Sequence, residues 1–164
     1  MRVLIGLGGN IGSPPEAFRR ALTAFDEHGV RVQRLSKLYR SRPVGPDQPE
    51  FWNQAAVVST NDNLLALLDT CQQLERAAGR DREREVRWGP RRIDLDLLMA
   101  ENAVHRGPRL TLPHPLFQTR SFALVPAADI VPDWRHPIVG MRIAELARQV
   151  CEADPEAVWT AGER

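Results

Sequence analysis

Hydrophobic positions along this chain switch between a period near two and a period near 3.6, and the switches divide it into elements. Val3 to Leu7 is a short apolar run that predicts a buried strand, followed by a turn over Gly8-Gly9-Asn10-Ile11-Gly12-Ser13-Pro14-Pro15. From Glu16 to Glu27, Phe18, Ala21, Leu22 and Phe25 recur at helical spacing, and His28-Gly29 ends that helix. Val30 to Tyr39 alternates with one slip, as a bulged strand does. A proline-stiffened loop from Arg40 to Glu50 leads to a further strand, Phe51 to Ser59. Asn61 to Ala78 is the clearest helix: Leu64, Leu67, Leu68, Cys71, Leu74 and Ala78 make its stripe, Asn61-Asp62-Asn63 cap it and Gly79 closes it. After a charged loop, Ile93 to Met99 predicts a strand, Glu101-Asn102 a turn and Val104 a short strand. The C-terminal third predicts shorter helices at Ser121 to Ala128 and Met141 to Cys151. The order β-α-β-β-α-β predicts one α+β domain over 1–164, of ferredoxin-like type with C-terminal additions.

Composition narrows the function classes. A chain of 164 residues can bury roughly 70% of its unfolded surface, enough for a proper core. No stretch approaches the ~20 apolar residues of a membrane span, and Arg2-Val3-Leu4-Ile5-Gly6 is no export leader, so a cytoplasmic protein is expected. Cys71 and Cys151 have neither metal nor redox spacing and read as reduced thiols. A net charge of +1 argues against general affinity for nucleic acid or anionic membranes. Lys37 is the one lysine among 22 basic residues, so any lysine chemistry must use it.

The strongest chemical signal is Asp94-Leu95-Asp96. On a strand these carboxylates share a face, about 6.6 Å apart, and can bracket hard cations. An isolated Asp-x-Asp more often marks a solvated strand face. Its neighbours change the balance. The segment Gly79 to Arg92 sets Arg80, Arg82, Arg84, Arg87, Arg91 and Arg92 against Asp81, Glu83 and Glu85. Guanidinium groups match phosphate oxygens in pairs, and Trp88-Gly89-Pro90 turns the chain just before the acidic pair. Metal and arginine together on one polyphosphate is therefore preferred to a self-neutralised surface loop.

Other positions are two-sided. Gly6-Leu7-Gly8-Gly9-Asn10-Ile11-Gly12 is neither a dinucleotide fingerprint nor a P-loop, so nucleotide would be held without either device. Glu75 reads as a structural carboxylate or as a group at a nucleotide edge. Phe51 and Asn53 share a strand face that suits a flat heterocycle, though core packing explains Phe51 equally well. His114, in Pro113-His114-Pro115, is a phosphate donor or a structural histidine rather than a zinc ligand. His28, His105 and His136 read as surface residues. No nucleophile elbow or RNA-binding strand signature is present.

Taken in order, Leu7 to Gly12, Tyr39-Arg40-Ser41, Gly45 to Asn53, Glu75 to Arg80, Arg87 to Leu98, Pro113-His114-Pro115 and Arg120-Ser121-Phe122 resemble the 6-hydroxymethyl-7,8-dihydropterin pyrophosphokinase family. The run Trp88-Gly89-Pro90-Arg91-Arg92-Ile93-Asp94-Leu95-Asp96 is the most specific part. The resemblance implies a ferredoxin-like αβα fold and transfer of pyrophosphate from ATP to the pterin, with AMP leaving. It implies two Mg²⁺ ions on Asp94 and Asp96, with Arg80 and Arg91 acting on the migrating phosphates. Pterin would lie between Phe51 and Phe122, with Ser41, Val44, Asn53 and Asp94 at its edges. ATP would meet Gln72, Glu75, Arg82, Trp88, Leu97, Arg109, Thr111, His114 and Arg120. The expected partners are these small molecules, with no nucleic acid or membrane, and the expected state is a monomer. Three features depart from the family pattern: Gly9 where serine is usual, Arg42 after Ser41, and a slightly long arginine loop carrying Glu83 and Glu85. Two rivals remain in view: a Mg-dependent nucleotidyltransferase, which would release pyrophosphate, and a ferredoxin-like nucleic-acid module.

Overall fold

In a computed structural model, which describes residues 1–162, one twisted antiparallel sheet carries the molecule. Its strands are β1 (Arg2–Gly9), β2 (Arg31–Leu35), β3 (Tyr39–Ser41), β4 (Phe51–Ser59), β5 (Asp94–Ala100) and β8 (Val158–Thr160). A separate small ribbon pairs β6 (His105–Arg106) with β7 (Thr111–Leu112). The helices are α1 (Pro14–Ala24), α2 (Leu64–Ala77), α3 (Ser121–Ile130) and α4 (Ile143–Ala153). Strand order is β5-β1-β4-β3-β8, with β2 also on β4, the ferredoxin-like order with one strand added at the edge.

The pleat sorts the apolar residues into two cores. Val3, Ile5 and Leu7 of β1, with Leu95 and Leu97 of β5, meet Phe18 of α1 and Leu67, Cys71 and Leu74 of α2. Leu4, Val57, Leu98 and Met99 face the other way, onto Phe117, Leu124 of α3 and Ile143 of α4. Each fully buried large side chain contributes about 1.5–3 kcal/mol of transfer free energy. The result is the expected three-layer αβα arrangement.

Several local expectations are corrected. The predicted strand from Val30 to Tyr39 is broken into β2 and β3, both paired to β4. At the break, Ser36 N–H donates to the Ala55 carbonyl and the Ser36 hydroxyl accepts from Ala55 N–H at 2.9 Å, so the side chain continues the ladder. Helix α1 stops at Ala24, and Phe25–His28 tightens into a 3-10 turn that Gly29 ends with a φ of 68°. Helix α2 starts at Leu64, because Asn63 is the residue whose side chain accepts the capping bond from Ala66 N–H. The chain around Gly8 and Gly9 is strand, not turn. Gly9 is tightly placed: a Cβ there would lie 2.5 Å from the Arg92 carbonyl oxygen. His136 is buried, stacked on Phe117 with ring centroids 6.2 Å apart.

The same pleat prepares a site. On the α3 and α4 side, β1 presents Gly6 and Gly8, flanked in register by Asp96 and Asp94 of β5, while Asn53 of β4 lies opposite Gly8. Two strand spacings, about 10 Å, therefore separate the Asn53 and Asp94 backbones with no side chain between them. Helices α3 and α4 cover the far half of this face and leave this half open.

Candidate active site

The open half of the sheet is a cavity of about 310 Å³. Its floor is Gly6 and Gly8, and its walls include Ser41, Val44, Phe51, Asn53, Arg80, Arg82, Trp88, Arg91, Asp94, Asp96, His114, Arg120 and Phe122. Residues spread from position 6 to position 123 meet here because β1, β4 and β5 are neighbours, although far apart in sequence.

One wall is ionic. The Arg80 side chain, 5% exposed, donates from Nη1 to Glu75 Oε1 at 2.7 Å and to Asp94 Oδ1 at 2.5 Å. Its other edge, Nε and Nη2, lies on the Glu85 carboxylate at 2.9 and 3.0 Å. Glu75, 1% exposed at the end of α2, also accepts from Arg82 Nη2 at 2.6 Å and from Leu95 N–H at 2.7 Å. Arg91 donates from Nη1 to Asp94 Oδ2 at 3.0 Å. Burial alone would raise the Asp94 carboxyl, but Arg80 and Arg91 outweigh it and hold this group below the usual carboxylate range. Asp96 is the contrast. Among the described residues its carboxylate has neither an ion pair nor a hydrogen bond, and burial, Asp94 and Glu75 push it up to about 7. A half-buried carboxylate left unpaired beside a paired one is a group arranged for a ligand rather than for stability.

The opposite wall is flat and mostly neutral. Phe51 and Asn53 lie on one face of β4, and Asn53 Nδ2 donates to the Ser41 hydroxyl at 2.8 Å, so both edge groups are fixed before anything binds. Arg120 bridges the two sides, its guanidinium 5.4 Å from the Trp88 ring centre and 5.6 Å from that of Phe122. Trp88 has a φ of 64°, a left-handed conformation unusual for a large side chain and a mark of local strain at a working loop. His114 accepts at Nδ1 from Leu116 N–H at 3.1 Å, which leaves its proton on Nε2. Burial and the Arg120 charge lower its pKa, so it is a neutral donor near pH 7.

The predicted ATP contacts are not all gathered. Leu97 lies 3% exposed in the core on the other face of the sheet, because it alternates with Asp96. Glu75 sits behind the cavity, bonded to arginines that line it. Gln72 on α2 and Thr111 on β7 are away from the lining, and Arg109 is ion-paired with Asp69. Other contributors carry little signal in the sequence. Gly6 and Gly8 make the floor, a role signalled only by glycine alternating with leucine in a strand. Asn10, 7% exposed, ties three loops: its Oδ1 accepts from Arg91 N–H at 2.9 Å, and its Nδ2 donates to Gln48 Oε1 at 3.0 Å and the Pro49 carbonyl at 2.9 Å. Gln48 in turn donates to the Trp88 carbonyl at 2.7 Å.

Comparison with known proteins joins this geometry to a family. The profile described as 7,8-dihydro-6-hydroxymethylpterin-pyrophosphokinase matches residues 4–132. The chain belongs to that family. The 2-amino-4-hydroxy-6-hydroxymethyldihydropteridine pyrophosphokinase from Pseudomonas aeruginosa is 44% identical over 147 residues, covering 88% of this chain and 89% of its own length. Its counterpart from Synechocystis is 40% identical over 157 residues, covering 95% and 78%. Fold similarity extends further: a Plasmodium falciparum HPPK-DHPS crystal structure with pteroate superposes with a TM-score of 0.74 at 13% identity, covering 97% of this chain. This chain spans 46% of that longer one. As a pyrophosphokinase of this family, the protein transfers pyrophosphate from ATP to hydroxymethyldihydropterin in folate biosynthesis. Among the described residues no helix is long and apolar enough to cross a membrane.

Proposed function

We propose that this cavity carries out the transfer in line, with the pterin hydroxymethyl oxygen attacking the β-phosphorus of ATP and AMP leaving. The observation that carries the reading is the division of Asp94 and Asp96 within one cavity: one is held charged by Arg80 and Arg91, the other is unpaired. Among the described residues no third acidic, cysteine or histidine group joins them as a metal cluster. A pair suits Mg²⁺, which takes one or two carboxylates and completes its shell with water and phosphate oxygens. Asp94 and Asp96 would hold two such ions, which supply neutralisation of the polyphosphate charge when bound.

The chain's own groups do the rest. Arg80 and Arg91 now bond carboxylates in the geometry they would offer to phosphate oxygens, and Arg82, His114 and Arg120 present further donors to the triphosphate. Phe51 and Phe122 would sandwich the pterin, with Ser41, Val44, Asn53 and Asp94 at its rim. Trp88 stacks toward the nucleotide. Holding both reactants in line is the main catalytic device, and such positioning supplies ~7–11 kcal/mol in the best cases. No side chain is assigned as a general base. On this reading the protein works in the cytoplasm as a monomer on small molecules alone, and its net charge of +1 supports the lack of a polyanionic partner. The test is Asp96→Ala: the purified protein should stay folded by circular dichroism yet lose turnover. Near-normal rates would remove the carboxylate pair from the mechanism.

A further inference from the structure

Beyond residue 132, where the family match ends, the chain returns to the edge strand β3, which supplies Ser41 to the cavity. Strand β8 pairs with β3 in the register Tyr39↔Thr160, Arg40↔Trp159 and Ser41↔Val158. Flanking bonds extend the contact: Ala161 N–H donates to the Leu38 carbonyl at 2.9 Å, and Arg42 N–H donates to the Ala157 carbonyl at 3.2 Å. The Arg42 guanidinium donates to both Asp154 oxygens, at 2.6 and 2.5 Å. None of Val158–Thr160 belongs to either core cluster. The segment's backbone bonding goes to β3 and the residues beside it, and α3 lies next to it.

That strand carries Ser41, 3% exposed, whose hydroxyl accepts the bond that fixes Asn53. Without β8, β3 would be a free edge three residues long, held by β4 on one side only. Arg42 is also where the Arg42–Glu50 loop leaves β3, so the Asp154 contact clamps the base of that loop.

We propose that the segment Asp154–Thr160 is a positioning element for the pterin-side wall, with Asp154 and Arg42 as its latch. The proposal rests on the reading of Ser41 and Asn53 as that wall. Both latch side chains are about half exposed, at 51% and 53%, so the pair contributes modestly and is screened by salt. The ladder contributes more.

Steady-state kinetics with each substrate varied separates the possibilities. Asp154→Ala should raise KM for the pterin about two- to fivefold, with kcat and KM for ATP unchanged, and Asp154→Glu should restore it. A chain ended after Ala153 should raise KM for the pterin by about tenfold or more, with a cooperative unfolding transition retained because both cores are intact. Unchanged pterin KM in both variants would overturn the proposal, as would a loss confined to kcat. Asn53→Ala, which leaves the tail untouched, tests the underlying reading. If it leaves pterin KM unchanged while the tail variants raise KM for ATP, the tail positions this wall but the wall is not the pterin's, and the proposal falls with the reading.

Discussion

Asp96 shows at the scale of one residue how function is set against stability. Its carboxyl is pushed up to about 7 by burial, Asp94 and Glu75, so the folded protein holds this proton more tightly than the unfolded chain does. A raised carboxylate costs nothing at low pH, and its cost grows as pH rises from about 4 through 7. In metal-free protein, Asp96→Asn should therefore raise the Tm at pH 8 by about 3 °C or more, the gain fading towards pH 4, while turnover is lost. A scanning calorimetry series in EDTA would show it; a lower Tm at pH 8 would contradict the electrostatic reading. Arg91 makes the complementary case. On the proposed mechanism its guanidinium, now bonded to Asp94, would turn a donor to charge that builds during reaction, so Arg91→Ala should lower kcat by about a hundredfold or more while pterin affinity, by titration calorimetry, changes little. A loss confined to binding would contradict the role.

Elements bring these residues together, and here the sequence was partly readable. Period-two reasoning placed Asp94 with Asp96, and Phe51 with Asn53, because alternation is local. The same alternation puts the Leu97 side chain in the core with Leu95, on the face opposite Asp96. The break at Ser36, the β8 pairing and the burial of His136 were not readable. Each depends on a partner distant in the chain, Ala55, β3 and Phe117 respectively. Asn10 belongs to the same class, since nothing in its neighbours announces a residue that joins three loops. Asn10→Ala strands the Arg91 N–H and the Gln48 side chain, and should cost about 1–3 kcal/mol in urea unfolding together with roughly a tenfold fall in kcat/KM. Gly9→Ala tests the tight approach of Arg92: its Cβ meets backbone at 2.5 Å, so it should destabilise by about 1–3 kcal/mol. A neutral result at Gly9 would show that the Arg91-Arg92 segment gives way easily.

At the scale of the molecule, the sheet separates two jobs. Its α1 and α2 face is filled core, while its α3 and α4 face is half core and half cavity. Titration of the whole fold reflects both halves. His136 is held neutral by burial, and His114 by burial and Arg120, so both bind a proton more readily when unfolded. Their contribution is present above about pH 6.5 and is lost as pH falls below it. Asp96 acts in the opposite sense over the same range, as does Glu75, which burial and Asp94 also raise, so the fall should be steeper in Asp96→Asn, where Glu75 alone of this pair offsets it. One reaction in one cavity is assigned to this molecule, and product analysis by chromatography tests it. Protein with Mg·ATP and hydroxymethyldihydropterin should yield AMP and pterin diphosphate in equal amounts, only when pterin is present, and none from folded Asp96→Ala. ADP, free pyrophosphate, or undiminished AMP from that variant would contradict it.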